Sequence, residues 1–195
     1  EDVMHKGDRL PVVSDKAHIK DALVEMASQV EPRSTEGIFR MPIQRVFSAR
    51  GFGTIVTGIP VAGALNVGDV VEVVPGGMKG KVRGIQAYKQ TVEEGCAGHS
   101  MALNLSDVAH HEVERGMVVA TPGYYRAAKM VGARLTVLAD LDRPVTDRMR
   151  IRLHTGTAEV VGELVLLDAE RLDPGDSGLV QLHLDEAVVC APGDP

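Results

Sequence analysis

Arg148, Arg150, Arg152 and His154 recur at every second position, a spacing that could do chemistry. In an extended strand alternate residues share a face, so these four would stand together while Met149, Ile151 and Leu153 turn the other way. A one-sided basic strand suits the phosphates of an RNA stem read by shape, and a solvated outer face is the alternative. Residues 37 to 92 are also locally basic. Arg40, Arg45, Arg50, Lys79, Lys81, Arg83 and Lys89 stand against only Asp69 and Glu72, a net of +5. The remainder holds 14 basic and 25 acidic residues, a net of −11. The whole chain carries −6 at pH 7, which taken alone points away from nucleic acid. Catalytic signals are poor. His110-His111 lies beside acids and Ser177 follows Gly175-Asp176, but neither has the motif context of a nucleophile and its base. Tandem histidines point to opposite sides of a strand and Cys96 is the only nearby thiol, so metal binding has little support.

The elements that must position these groups are mostly strands. The 195 residues are 44% hydrophobic, with no Trp and three Phe, so cores must be packed from Val, Leu, Ile, Met and Ala. Valine-rich runs punctuated by 21 Gly and 10 Pro favour an all-β fold. Strands are expected at 38–48, 53–59, 69–74, 79–89, 99–105 and 117–121, closing into an antiparallel barrel, with a helical turn at 107–115. A second barrel is expected from about Ala128, with strands Val131–Ala139, Met149–Leu153, Ala158–Leu167, Leu179–Leu184 and Ala187–Ala191. Ahead of both, Pro11-Val12-Val13 reads as the end of a strand. Ser14 or Asp15 could cap a short helix with apolar Ile19, Leu23, Met26 and Ala27, followed by a polar linker, Glu31 to Gly37. No apolar run approaches 18 residues and no charged-then-apolar leader occurs, so neither a membrane span nor a signal peptide is expected. Cys96 and Cys190 fit reduced, buried cytosolic thiols better than a disulfide framework.

Several blocks stand in an order that goes beyond composition. Gly51-Phe52-Gly53-Thr54, Val56-Thr57-Gly58, Gly63 and Val67-Gly68-Asp69 resemble the second domain of the translational GTPases. Glu93-Glu94-Gly95-Cys96-Ala97-Gly98 and Glu114-Arg115-Gly116-Met117-Val118 with Pro122-Gly123 resemble later blocks of the same domain. Phe39-Arg40-Met41-Pro42-Ile43 with Arg45-Val46-Phe47 is similar to the selenocysteine-specific elongation factors. So are His154-Thr155-Gly156-Thr157-Ala158-Glu159-Val160, Leu166-Leu167-Asp168, Gln181 to Glu186, and Gly193-Asp194.

That resemblance implies an all-β fold of two consecutive antiparallel β-barrels of elongation-factor domain II and III type, preceded by a short helical segment. It divides the chain into 1–37 (a remnant of the GTP-binding domain and linker), 38–125 (first barrel) and 126–195 (second barrel, C-terminally truncated). The implied partners are selenocysteinyl-tRNA, the ribosome, an upstream GTP-binding domain and a downstream RNA-hairpin-binding domain, in the cytoplasm and with no membrane. Gln44, Arg45 and His99 would form an aminoacyl pocket. Arg50, Asn104, Glu114, Arg115, Arg148, Arg150, Arg152 and His154 would contact tRNA. The pattern is not matched throughout: Gln44 stands where the family usually has Asp, and His99-Ser100 where it has a Gln-Arg pair. A phosphate loop, G-x-x-x-x-G-K-[ST], and a guanine-reading Asn-Lys-x-Asp are both absent from the sequence. GTP and Mg therefore belong to the upstream domain, and these 195 residues are not expected to be an enzyme by themselves. Rival readings are the equivalent barrels of a sulfate-activating or ribosome-associated GTPase, or a protein-interaction module.

Overall fold

A computed structural model describes residues 19–28, 36–49 and 53–194. The expectations for Pro11–Val13, the Ser14 or Asp15 cap, most of the linker and Arg50 lie outside the described residues. Two compact units divide the chain, 1–34 and 35–195. In the first, α1 (Ile19–Ser28) forms where the apolar spacing placed a helix, and its Leu23, Val24 and Met26 are exposed.

Strands of the second unit run as the Val-rich segments and glycine turns suggest. Its first half contains β1 (Arg40–Ala49), β2 (Gly53–Gly58), β3 (Ala64–Asn66), β4 (Val70–Val74) and β5 (Met78–Ala87). These are followed by β6 (Gln90–Val92), β7 (Glu94–Cys96), β8 (Met101–Leu105), a 3-10 turn at His110–Glu112 and β9 (Val118–Ala120). Pairing runs β4-β9-β1-β2-β8-β5, and β5 returns to β4, which closes a six-stranded antiparallel barrel. Closure satisfies every strand edge. Met41, Ile43, Val56, Val73, Leu103 and Val119 fill the centre with no exposed surface. The three-residue ladder β3–β7 and the short β6 escaped the sequence, being too brief to show a period. His99 and Ser100, expected to open a strand, instead lie in the turn before β8.

The second half contains β10 (Ala128–Thr136), β11 (Val145–Thr146), β12 (Met149–Thr155), β13 (Ala158–Leu166), β14 (Arg171–Leu172) and β15 (Ser177–Val188). One sheet has the order β10-β15-β13-β12, with β11–β14 as a separate two-stranded ladder. Val131, Ala133 and Leu135 of β10 pack on the same core as Ile151 and Leu153 of β12. The sheet therefore wraps until its two outer strands share one interior. The two strands expected at 179–184 and 187–191 are a single strand. A register shift between Ala128 and Met130 lets β10 follow it past exposed Asp185 and Glu186.

A third, smaller cluster fastens the halves together. Val74, Val118 and Ala120 meet Val189, with Tyr125 and Ala127 of the connecting segment packed against them. Cys96 and Cys190 are free thiols, half-buried rather than buried.

Candidate nucleic-acid interface

Gln44 and Arg45 occupy a bulge. Ile43 faces Gly58 and Arg45 faces Thr57, so Gln44 is the extra residue on β1. Both side chains are exposed, and Arg45 has no carboxylate within ion-pair distance among the described residues. The bulge is pinned from outside the barrel. The Ile43 amide donates to the Met117 carbonyl at 2.8 Å, and the Ile43 carbonyl accepts from the Gly116 amide at 3.3 Å and the Thr157 hydroxyl at 2.7 Å. Thr157 belongs to the turn joining β12 and β13, so the second half of the unit holds the bulge of the first. Gly156 in that turn has φ +56°, and a Cβ there would stand 3.0 Å from the Pro42 ring.

This pinning brings together residues far apart in sequence. Glu114 and Arg115, both exposed, immediately precede the Gly116 amide bonded to Ile43. They form no ion pair with each other among the described residues. His154, exposed near the end of β12, stands two residues before Gly156. The segments holding Gln44, Arg45, Glu114 and Arg115 thus meet at the Ile43 carbonyl, with His154 on the strand that leads into the Thr157 turn.

His99 and Asn104 lie further round the barrel. Gly58 pairs with Met101, so His99 sits just past that row, two strands from β1, which is roughly 10 Å. Its Nδ1 is 3.5 Å from the Cys96 sulfur, and its ring meets Tyr88 edge-on at 5.8 Å. Asn104 joins an outward row with Phe47, Ile55 and Gly84. Among the described residues its Oδ1 is buried without a hydrogen-bond partner, and a Cβ on Gly84 would meet no described atom within 4 Å beyond its own chain neighbours. A buried acceptor without a donor costs about 1–3 kcal/mol. Phe47, Ile55 and Gly84 were missed at the sequence level because their shared row exists only after four strands pair.

The alternating arginines behave differently. Arg150, Arg152 and His154 are exposed while Met149, Ile151 and Leu153 turn inward, as the period requires. Yet Arg148 meets Glu163 at 3.1 Å, Arg150 meets Asp185 at 2.8 Å and Arg152 meets Glu159 at 2.8 Å. The hydrogen bond from Arg150 holds the Asp185 carboxyl below its ordinary range and raises the guanidinium in turn. The face carries three ion pairs instead of three free cations.

One buried arginine was not expected in any site. Arg40 at the start of β1 makes a two-pronged pair with Asp194, and its guanidinium lies 5.3 Å over the Tyr125 ring. The Arg40 hydrogen bond is the main cause holding Asp194 below the usual carboxylate range, while burial pushes the Tyr125 phenol up. Nothing in the sequence marked this clasp, which spans 154 positions.

Comparison with known proteins agrees with this architecture. Residues 53–120 match the family described as Elongation factor Tu domain 2. Residues 132–195 match the β-barrel domain of selenocysteine-specific elongation factors. A selenocysteine-specific elongation factor of Desulfomicrobium baculatum is 32% identical over 191 residues, covering 94% of this chain and 30% of that protein. Elongation factor Tu 2 of Streptomyces avermitilis is 32% identical over 180 residues, covering 89% of this chain and 46% of that protein. The crystal structure of translation elongation factor SelB from Methanococcus maripaludis, apo form, superposes with a TM-score of 0.79 at 25% identity, covering 90% of this chain and 42% of that one. A bacterial selenocysteine-specific elongation factor superposes at 0.74 and 24% identity, covering 90% and 28%, and shows the shared fold. The chain thus spans 30% to 46% of the length of these curated relatives.

Proposed function

The chain belongs to the translation elongation factors, its second barrel being of the selenocysteine-specific kind, and on that premise we propose that it holds the acceptor end of selenocysteinyl-tRNA for delivery to the ribosome. GTP and Mg would be handled by an upstream GTP-binding domain, which would make the full-length factor a GTPase. A downstream RNA-hairpin-binding domain would complete the factor, working in the cytoplasm. The residues present do not fit the nucleotide: the phosphate loop and the guanine-reading motif are lacking, so no step of hydrolysis is derived for them.

One observation carries the reading: Arg45 is an exposed cation without a carboxylate partner among the described residues, on a bulge fixed by Gly116 and Thr157. A thiol titrates near 8.5, and a selenol well below it, so near pH 7 the selenocysteine side chain is an anion while serine and cysteine are neutral. A guanidinium beside that anion favours it by about 1–3 kcal/mol, the range for a charge-assisted contact. Gln44 offers a neutral amide next to the charge, and His99 supplies a second donor from the turn before β8. Asn104, with its unpartnered Oδ1, would take the terminal nucleoside. Glu114 and Arg115 would contact the same end of the tRNA through ribose hydroxyl and base.

The test is Arg45→Ala in the full-length factor, reading the preference for selenocysteinyl over seryl ester. The expected result is a loss of about tenfold in that preference, equivalent to 1.4 kcal/mol, with the fold intact. Unchanged selectivity contradicts the charge argument.

A further inference from the structure

We propose that the outward row Lys79, Lys81 and Arg83 on β5 is a second RNA-binding surface, taking the phosphate backbone on the side of the barrel away from Arg45. The three side chains are exposed and alternate with buried Gly80 and Val82, so they share the outer face. Lys79 and Lys81 stand about 7 Å apart along the strand, and Arg83 follows on a bulge. None has a carboxylate within ion-pair distance among the described residues, and the ladder explains each case. Lys79 faces Glu72, but that carboxylate accepts the Gly123 amide at 2.6 Å and is held toward the connection between the barrels. Lys81 faces Val70, which has no charge to offer and is itself exposed. Arg83 is the extra residue of a bulge between Val82 and Gly84, so no residue of β8 stands opposite.

Position separates this row from Arg45, while its Arg83 end neighbours Gly84, the residue opposite Asn104. In the ring β4-β9-β1-β2-β8-β5, strand β5 is three steps from β1 in either direction. An RNA seated on the row is therefore a different contact from one whose end reaches Arg45. Charge supports the choice of partner, since this region holds the chain's positive excess against a net of −6 overall. A row of uncompensated cations along one outer face fits a polyanion with repeated charge, and on the reading that the chain is part of a translation factor that polyanion is RNA.

The experiment measures anisotropy of a labelled RNA hairpin and of a labelled oligouridine strand with the 195-residue chain, from about 50 to 200 mM salt. The triple variant K79Q/K81Q/R83Q should bind at least one of the two about tenfold more weakly. Its slope of log affinity against log salt should also be shallower by two to three, about one per phosphate contact. A loss on the hairpin alone assigns the row to duplex, and a loss on the strand alone to single-stranded RNA. Because these substitutions lie on the surface, unfolding is not expected, and an unchanged circular dichroism melt verifies it. Affinity and slope both equal to wild type overturn the proposal. So does tighter binding of the wild-type chain to phosphatidylserine vesicles than to either RNA.

Discussion

Lys79, Lys81 and Arg83 on β5 stand free of carboxylates among the described residues, whereas Arg148, Arg150 and Arg152, on and just ahead of β12, are each ion-paired. Both runs place three cations at alternate positions, and the runs themselves are nearly interchangeable. The neighbours differ. Beside β12, strand β13 presents Glu159 and Glu163 diagonally to Arg152 and Arg148, and β15, one strand further, presents Asp185 to Arg150. Beside β5, the one opposing acid is turned to a backbone amide and the other two cations face a valine and a bulge. Whether a basic strand is available to a polyanion is thus decided on the neighbouring strands of the sheet, not on its own.

The comparison breaks most severely if the support beneath the free row is removed. A Cβ on Gly80 would lie 2.6 Å from the Ser106 carbonyl oxygen and 2.7 Å from a Val108 methyl, on the inward side of the row. Gly80→Val should therefore cost about 3 kcal/mol, at the upper end of overpacking, read as a lower urea midpoint. Next comes the buried arginine, a third type beside the free and the surface-paired. Arg40→Met leaves Asp194 without its partner and should cost about 2 kcal/mol, discounted from the buried-pair range because Asp194 retains some exposure.

That clasp also gives a pH signature. Asp194 titrates lower in the fold than its unfolded value of about 3.9, so the pair's contribution is full above that value and is lost as pH falls through the folded one. Stability of wild type should fall more steeply than that of Asp194→Asn below about pH 4, checked by urea melts across that range.

Smaller effects sharpen the contrast between the two rows. Glu159→Gln, Glu163→Gln and Asp185→Asn together would strip the β12 arginines of partners and make that face resemble β5. Affinity for the RNA hairpin should then rise several-fold, with a steeper salt dependence. The smallest effect is on folding: Arg152→Gln should shift stability by no more than about 1 kcal/mol, as for other exposed ion pairs, measured by the same melts.

Much of the first barrel was legible because its Val-rich strands are separated by glycines that the turns require. Gly63 shows why: its φ is +71°, and a Cβ there would collide with the Phe39 backbone at 2.4 Å. Gln44, Arg45, Glu114 and Arg115 could each be named in the sequence by resemblance. Their meeting around Ile43 could not, since it depends on two hydrogen bonds from segments some 70 and 110 residues away. The basic character of residues 148–154 was legible, while its neutralisation was not, because the acids lie on strands whose register a single sequence does not encode. The same limit hid the unpartnered Asn104 amide and the Arg40–Asp194 clasp.

Ester protection tests most directly the proposal that a cationic pocket around Arg45 singles out a selenolate. In the full-length factor loaded with GTP, hydrolysis of selenocysteinyl-tRNA is compared with that of seryl-tRNA. The account predicts that only the selenocysteinyl ester is protected. Protection of both alike, or of neither, contradicts it.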